Sequence, residues 1–490
     1  MALDITKLGP EFVTFARRVT DLAAKNGDAP AVTCEGSVIS WRQLEERANR
    51  LARDLAERGV GVGDMVTVAV PNSPEWYIAF AAAWKIGAIP QPVSPRLPVP
   101  ELERIVGLAR SKLVLGGPAQ LDSAVTLPAD YDAPARFDSD PLPDVLSPAW
   151  KAPTSGGSTG QPKLIVAGAP SILKLDTDPP WELRPGGCMV MPGPLYHNGP
   201  LLWSWLALLW DSQVALLPKF DAEATLAAVD RHGADVLYLV PTMMKRIIRL
   251  PQDVRDSYDV STLRAVWHMG EPCPEWLKQQ WIDWLGPERI FETYGGTEAI
   301  SATTITGPEW LAHRGSVGLP LMGEFMVCDE DGKELPPDTM GELWHRAAGK
   351  RAPYRYIGAD ARSRDDGWES LGDMGKIDAD GYLYLGDRMT DMILSGGANV
   401  YPNEVEAQLQ EHPGVLSCVV IGLPDDDLGQ RVHAIVQAAD GVTQADLVTF
   451  TEGRLVRYKV PRSIEFVDHP LRDDAGKVRR SALRDARVTT

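Results

Sequence analysis

Small hydroxyl side chains alternate with glycines from Thr154 to Lys163, in the run TSGGSTGQPK. Glycine permits unusual backbone angles and leaves N–H groups bare. Around Gly156, Gly157 and Gly160, the hydroxyls of Ser155, Ser158 and Thr159 add donors and Lys163 adds a point charge, a combination that matches a polyphosphate. No helix-opening Gly-Lys-Ser/Thr follows; Pro162 and the strand-like LIVAG come instead, so this is not a Walker loop. The same composition also suits a flexible linker.

Other stretches carry chemistry of a compatible kind. ETYGGTEAI, Glu292 to Ile300, sets an aromatic ring, two glycines, a hydroxyl and a carboxylate at the end of a strand pattern. A carboxylate beside a polyphosphate is repelled unless a hard cation bridges them, and Mg²⁺ takes one or two protein oxygens plus phosphate and water; Glu298 also suits a helix N-terminus. Asp373 in LGDMG is a bidentate acceptor suited to a diol, and Arg388 in GDRMTD accompanies it, although each also suits a solvated surface. Gly270 ends a strand pattern before Glu271 and Pro272, where close approach of a ligand and plain turn chemistry are both served. His197 in PLYHNGP follows a strand and suits a structural hydrogen bond as well as a pocket wall. Lys477 follows Gly476 in DDAGKVRR, where the bland alternative is a solvated tail.

Together and in this order, these motifs resemble the adenylate-forming superfamily of acyl-CoA synthetases, luciferases and peptide-synthetase adenylation domains. Its signature is a Thr-Ser-Gly-Thr-Thr-Gly-x-Pro-Lys run; Gly156 stands where the family usually has Ser, and Leu164 where it usually has Gly. The variant is most similar to bacterial bile-acid and steroid-acid CoA ligases, over most of the chain. The resemblance implies ATP, Mg²⁺ and coenzyme A as reactants and cofactor, and the following roles. Ser155 to Gly160 and Lys163 cradle phosphates. Gly270, Glu271 and Pro272, with Glu292, Thr293, Tyr294 and Gly295, bind the nucleotide, Tyr294 against adenine. Thr297 lies near the α-phosphate and the acid's carboxylate, Glu298 on Mg²⁺, and Asp373 and Arg388 on the ribose hydroxyls. His197, Trp267, Gly295 and Gly296 bound the acid, the two glycines leaving space that Trp267 shrinks again. Lys477 drives adenylation, and Ser395, Gly396 and Gly397 serve the coenzyme A channel.

The implied reaction has two steps: a carboxylate attacks the α-phosphate, pyrophosphate leaves, and a thiol then displaces AMP. The implied acid is bulky and apolar, steroid- or terpenoid-like, with aryl and medium-chain acids as alternatives. A carrier protein or a separate ligase-like protein is the alternative acceptor. A catalytically dead acyl or nucleotide sensor is the non-enzymatic alternative, opposed by retention of Thr297, Glu298 and Lys477. Thr390 stands where the family has a charged hinge residue, so the balance between the two steps is expected to be altered.

The elements that must position these residues follow from the patterning. Leu44, Ala48, Leu51, Ala52 and Leu55 recur at helical spacing from Trp41, and a buried-type strand MVTVAV follows. Strand and helix signals alternate on both sides of the cradle, which argues for parallel sheets with helices on both faces. From about 315 to 385 turns and short strands predict antiparallel sheet, and beyond Asp391 a compact α+β piece begins. The expected architecture is α/β: a large N-terminal domain (1–387) of two doubly wound sheets plus a β-rich subdomain, a hinge (388–391), and a small mobile α+β domain (392–490) carrying Lys477. A net charge of −18 opposes a broad nucleic-acid surface. No apolar run of about 20 residues predicts a membrane span, and MALDITKLGPEF lacks the form of a secretory signal. Five scattered cysteines predict reduced, mostly buried thiols in a cytoplasm.

Overall fold

The computed structural model describes residues 9–118, 121–156, 162–349, 352–387, 391–473 and 476–488. Helix Trp41–Glu57 opens with a capping box: Ser40 accepts from the Gln43 N–H, and Gln43 accepts from the Ser40 N–H. Its apolar stripe is buried as the spacing predicts. Helix Pro74–Lys85 is buried at every position but Glu75. Its neighbours explain this, because it touches strands of both parallel sheets as well as helix Trp41–Glu57, and a helix enclosed on all sides has no polar face to show. Trp76, Phe80 and Trp84 pack there against Trp205 of helix Asn198–Leu209.

The first parallel sheet has the order Ile89–Pro92, Met65–Ala69, Leu113–Gly116, Val125–Leu127. The second runs through Pro30–Cys34, Gln213–Leu216, Cys188–Met191, Val236–Leu239, Ala265–His268 and Ile290–Gly295, all parallel. Strand Pro30–Cys34 precedes the first sheet in the chain yet lies in the second, a crossing that local patterning does not reveal. The turn-rich stretch is antiparallel as expected, but it extends the second sheet: Ile290–Gly295 folds back onto Ala302–Thr306, which pairs with Ser316–Met322. The reason lies in the GGTEA turn, which reverses the chain at that edge. The C-terminal ends of the parallel strands lead into Pro241, Gly270 and Gly296, the side of an open sheet where ligands gather.

Strands Thr154–Gly156 and Pro162–Ala167 pair antiparallel, Gly156 opposite Pro162. The arms of the glycine-rich run are therefore hairpin strands, while 157–161, with Gly157, Ser158, Thr159 and Gly160, lies outside the described residues. Residues 391–473 and 476–488 build an α+β unit on the hairpin Val415–Asp425 and Gly429–Ala438, with a hydrophobic cluster of its own around Val405, Leu409, Val420 and Val436. Among the described residues the cysteines are free, and no helix is long and apolar enough to cross a membrane.

Helix Pro402–Glu411 of the small unit is held at both ends from outside. At its N-terminus, buried Asp387 accepts from the Asn403 N–H at 2.9 Å; at its C-terminus, Arg249 donates to the carbonyls of Gln410 at 3.0 Å and Val415 at 2.6 Å. Both charges suit the helix dipole. Charge-assisted hydrogen bonds of this kind contribute about 1.5–3 kcal/mol, so Arg249→Ala should raise the opening frequency of residues 402–416 by roughly 10- to 100-fold. Amide hydrogen exchange reads this directly, with helix Trp41–Glu57 as internal control; identical exchange in both proteins would show that Arg249 does not hold the small unit.

Candidate active site

Strand Pro162–Ala167 and its antiparallel neighbour Tyr354–Ile357 bring Lys163 and Tyr356 to Glu298. The Tyr356 hydroxyl donates to Glu298 Oε1 at 2.6 Å, Lys163 Nζ lies 3.8 Å from the same oxygen, and that ammonium also sits 3.8 Å from the Tyr356 ring centroid. Glu298 does not open a helix. It sits in the turn from Gly296 to Ala299, closed by the Ala299 N–H on the Gly296 carbonyl at 3.1 Å, with Ala299 at φ 53°. A non-glycine residue there is strained and is held so by its surroundings, here the turn that contains Thr297 and Glu298. Among the described residues no group of three or more His, Cys, Asp or Glu could hold a metal by itself. A lone carboxylate beside Lys163 still fits Mg²⁺, which takes few protein oxygens and completes its shell with phosphate and water.

Tyr294 and Asp373 are brought together, the phenol donating to Asp373 Oδ2 at 2.7 Å. Glu292 and Thr293 turn inward: Glu292 pairs with buried Lys278 at 2.7 Å, and Thr293 donates to the Thr303 carbonyl at 2.6 Å. Only their backbone remains for a nucleotide. Gly270 has φ 89°, as a ligand-facing turn permits. A Cβ on Gly296 would lie 2.7 Å from Leu371 Cδ1, so this glycine serves close packing rather than the space the sequence suggests. Gly295 is exposed, and a Cβ there would lie 3.2 Å from Cβ of its strand partner Ala302. Arg388 and Thr390 lie outside the described residues. Ser395, Gly396 and Gly397 form a tight hairpin turn between Ile393–Ser395 and Ala398–Val400, both glycines at positive φ.

The loop of Lys477 docks against the large part. The Lys477 N–H donates to Asp473 Oδ1 at 2.9 Å, Arg472 donates to the Gly476 carbonyl at 3.0 Å, and Asp473 Oδ2 lies 3.7 Å from His197 Nε2. Gly476 has φ 78° and packs so closely on Glu271 that a Cβ would collide with the carboxylate. Glu271 accepts from the Thr242 hydroxyl at 2.8 Å, and burial pushes its carboxyl up to about 7 against the opposing pull of Arg472. Burial, reinforced by the charge of Lys477, pushes His197 down to about 3. Among the described residues His197 Nε2 is buried without a hydrogen-bond partner, Asp473 Oδ2 at 3.7 Å lying beyond hydrogen-bond range.

Helix Asn198–Leu209, which follows His197, carries Trp203 into an aromatic cluster. Trp267 stacks on Phe291 at 4.7 Å, tilts against Trp203 at 4.9 Å, and donates Nε1–H to the Trp181 carbonyl at 3.1 Å; Trp203 stacks on Trp181 at 3.9 Å. Sequence reasoning missed Trp181, Trp203, Phe291, Tyr356, Arg472 and Asp473. It also missed Lys151, a buried lysine whose ammonium is pushed down to about 7 by desolvation, against the field of Glu298. Spacing offered no signal for the aromatics, which come from separate elements, whereas Arg472 and Asp473 adjoin a motif already singled out.

The family model described as AMP-binding enzyme matches residues 19–351, and that described as AMP-binding enzyme C-terminal domain matches 404–477. The chain is 30% identical to the fatty acid–[acyl-carrier-protein] ligase ScoC of Streptomyces coeruleorubidus, over 97% of both proteins. It is 31% identical to a feruloyl-CoA synthase of an Amycolatopsis species, over 93% of this chain and 95% of the relative. Among solved structures, ATP-bound MatB from Rhodopseudomonas palustris superposes with a TM-score of 0.79 at 26% identity, over 97% of this chain and 99% of that one.

A histidine held to about 3 is neutral throughout ordinary assay conditions, because its charged form appears only as pH falls through that value. The kcat/KM profiles of wild type and His197→Asn between pH 5.5 and 8 should therefore have the same shape. An acid limb with an apparent pKa near 6.5 that is present in wild type and lost in the variant would contradict this.

Proposed function

Because the chain belongs to the AMP-binding enzyme family, we propose that it activates a carboxylic acid with ATP and passes the acyl group to the thiol of coenzyme A. The observation that carries this reading is the docking of the Lys477 loop on Glu271 and His197, beside the corner where Lys163 and Tyr356 meet Glu298. A carboxylate oxygen attacks the α-phosphorus, the bond to the bridging oxygen of the β-phosphate breaks, and pyrophosphate leaves. Lys477, brought in by its loop, stabilises the charge of the five-coordinate transition state. His197 and the aromatic cluster keep water from the mixed anhydride. Tyr294 and Asp373 orient the nucleoside, Lys163 and the cradle hold the phosphates, and Glu298 would hold Mg²⁺. That ion, when bound, neutralises the β- and γ-phosphates. In the second step the thiol sulfur attacks the acyl carbon, AMP leaves, and the thiol proton passes to solvent. We take 388–391 as the hinge that withdraws Lys477 between the steps and turns Ser395, Gly396 and Gly397 toward the coenzyme A channel, with Thr390 as its neutral member, in a cytoplasmic protein.

For the acid, an apolar ring system is supported by the stacked faces of Trp181, Trp203, Trp267 and Phe291. Gly156 in the cradle favours a steroid- or terpenoid-like acid through the resemblance of that variant. The bulk of Trp267 favours a flat aryl acid, in line with the relative named as a feruloyl-CoA synthase. A carrier-protein thiol as acceptor is favoured by the relative named as an acyl-carrier-protein ligase.

The test is mass spectrometry of purified protein with Mg·ATP and benzoate, ferulate, laurate or cholate, with and without coenzyme A. We expect acyl-AMP without the thiol and acyl-CoA with it; no AMP or pyrophosphate from any acid would overturn the reading. Lys477→Ala should lower acyl-AMP formation at least about 100-fold, roughly 2.7 kcal/mol, while transfer from preformed acyl-AMP survives. Near-wild-type pyrophosphate exchange in that variant would remove Lys477 from the mechanism.

A further inference from the structure

The mechanism above makes no use of Lys151, three residues before the cradle. Its side chain is buried, Nζ donates to Asn198 Oδ1, and the ammonium sits 4.3 Å from the Trp150 ring centroid. Two other buried lysines, Lys85 and Lys278, each hold a glutamate at 2.7 Å, and Lys245 faces Gln410 across the contact with the small unit. Lys151 alone of the four stands at the reaction site without a carboxylate in ion-pair range among the described residues. An ammonium has three donors, and leaving one buried beside a neutral amide is costly unless an anion arrives.

Its position narrows which anion. Asn198 directly follows His197 at the start of helix Asn198–Leu209, on the side assigned to the acid, and Glu298 is the carboxylate whose field reaches Lys151. Lys151 thus lies between the acid wall and the phosphate corner. The phosphates already have Lys163 and the cradle. The carboxylate has only Lys477, which arrives on the small unit. We propose that Lys151 is a binding residue for the acid's carboxylate, meeting it from inside the large part while Asn198 holds the ammonium in place. This rests on the acid-activating reading above.

Two variants test it. Lys151→Met removes the charge with little change of volume. Asn198→Asp keeps the charge but supplies an internal carboxylate that competes with the acid. The probes are whichever of benzoate, ferulate, laurate and cholate gives the fastest acyl-AMP formation, its primary amide, and α,β-methylene-ATP, with affinities from titration calorimetry on the full chain. Both variants should weaken the acid at least about 30-fold, raise its KM in step, and leave α,β-methylene-ATP within about threefold. The preference of wild type for the acid over its amide should collapse in Lys151→Met, a change that a purely structural lysine would not produce. Unchanged acid affinity in both variants would overturn the proposal, as would lost ATP-analogue affinity with the acid retained, which would assign the ammonium to phosphate. If wild type activates none of the four acids, it is the acid-activating reading that fails.

Discussion

Arg472 lies between two buried carboxylates, Glu406 of the small unit at 2.7 Å and Glu271 of the large part at 3.6 Å, and also donates to the Gly476 carbonyl at 3.0 Å. One guanidinium thereby joins the two halves of the protein and shapes the loop that presents Lys477. The arrangement is mutually dependent. Glu406 also accepts from Arg480 at 2.6 Å and from the Val420 N–H at 2.9 Å, so its charge stays satisfied whether or not the small unit is docked. When the small unit leaves, Glu271 keeps the Thr242 hydroxyl and the field of Lys245, and water must then replace Arg472. A buried carboxylate that gains its cation on docking ties the strand end at Gly270 to the position of the Lys477 loop. Gly476 completes the fit, since any side chain there would strike Glu271.

The chain carries a net charge of −18, yet Lys163 lies 3.8 Å from Glu298, Lys151 feels the field of the same carboxylate, and Lys477 acts on His197. In a mostly negative protein, anionic reactants depend on such local cations. Trp181, Trp203, Trp267 and Phe291 supply the opposite, apolar character. A reaction that joins two anions requires both features: cations to overcome repulsion, and apolar cover to protect the anhydride that results.

Much of this was legible in the sequence because it is local. The helix from Trp41, the strand and helix alternation and the antiparallel stretch beyond 315 depend on near neighbours, and each lies where spacing predicts. Four features were not. Strand Pro30–Cys34 pairs with Gln213–Leu216, a contact across the chain with no local mark. Glu292 stands inside a strong motif yet pairs with Lys278, a buried lysine from helix Glu275–Leu285 that no local pattern places there. Gly296 suggests room, but glycine serves close packing as readily as open space, and only the position of Leu371 decides between the two. Lys151 was passed over because nothing in its neighbours distinguishes a buried lysine from a solvated one.

The central claim is that the acid's own carboxylate oxygen attacks the α-phosphorus. Acid labelled with ¹⁸O in both carboxylate oxygens, incubated with wild-type protein, Mg·ATP and coenzyme A, tests this directly by mass analysis of the recovered nucleotide and thioester. The account predicts AMP carrying one ¹⁸O and acyl-CoA carrying the other, with unlabelled pyrophosphate. Label appearing in inorganic phosphate together with ADP would place the attack at the terminal phosphate and contradict it.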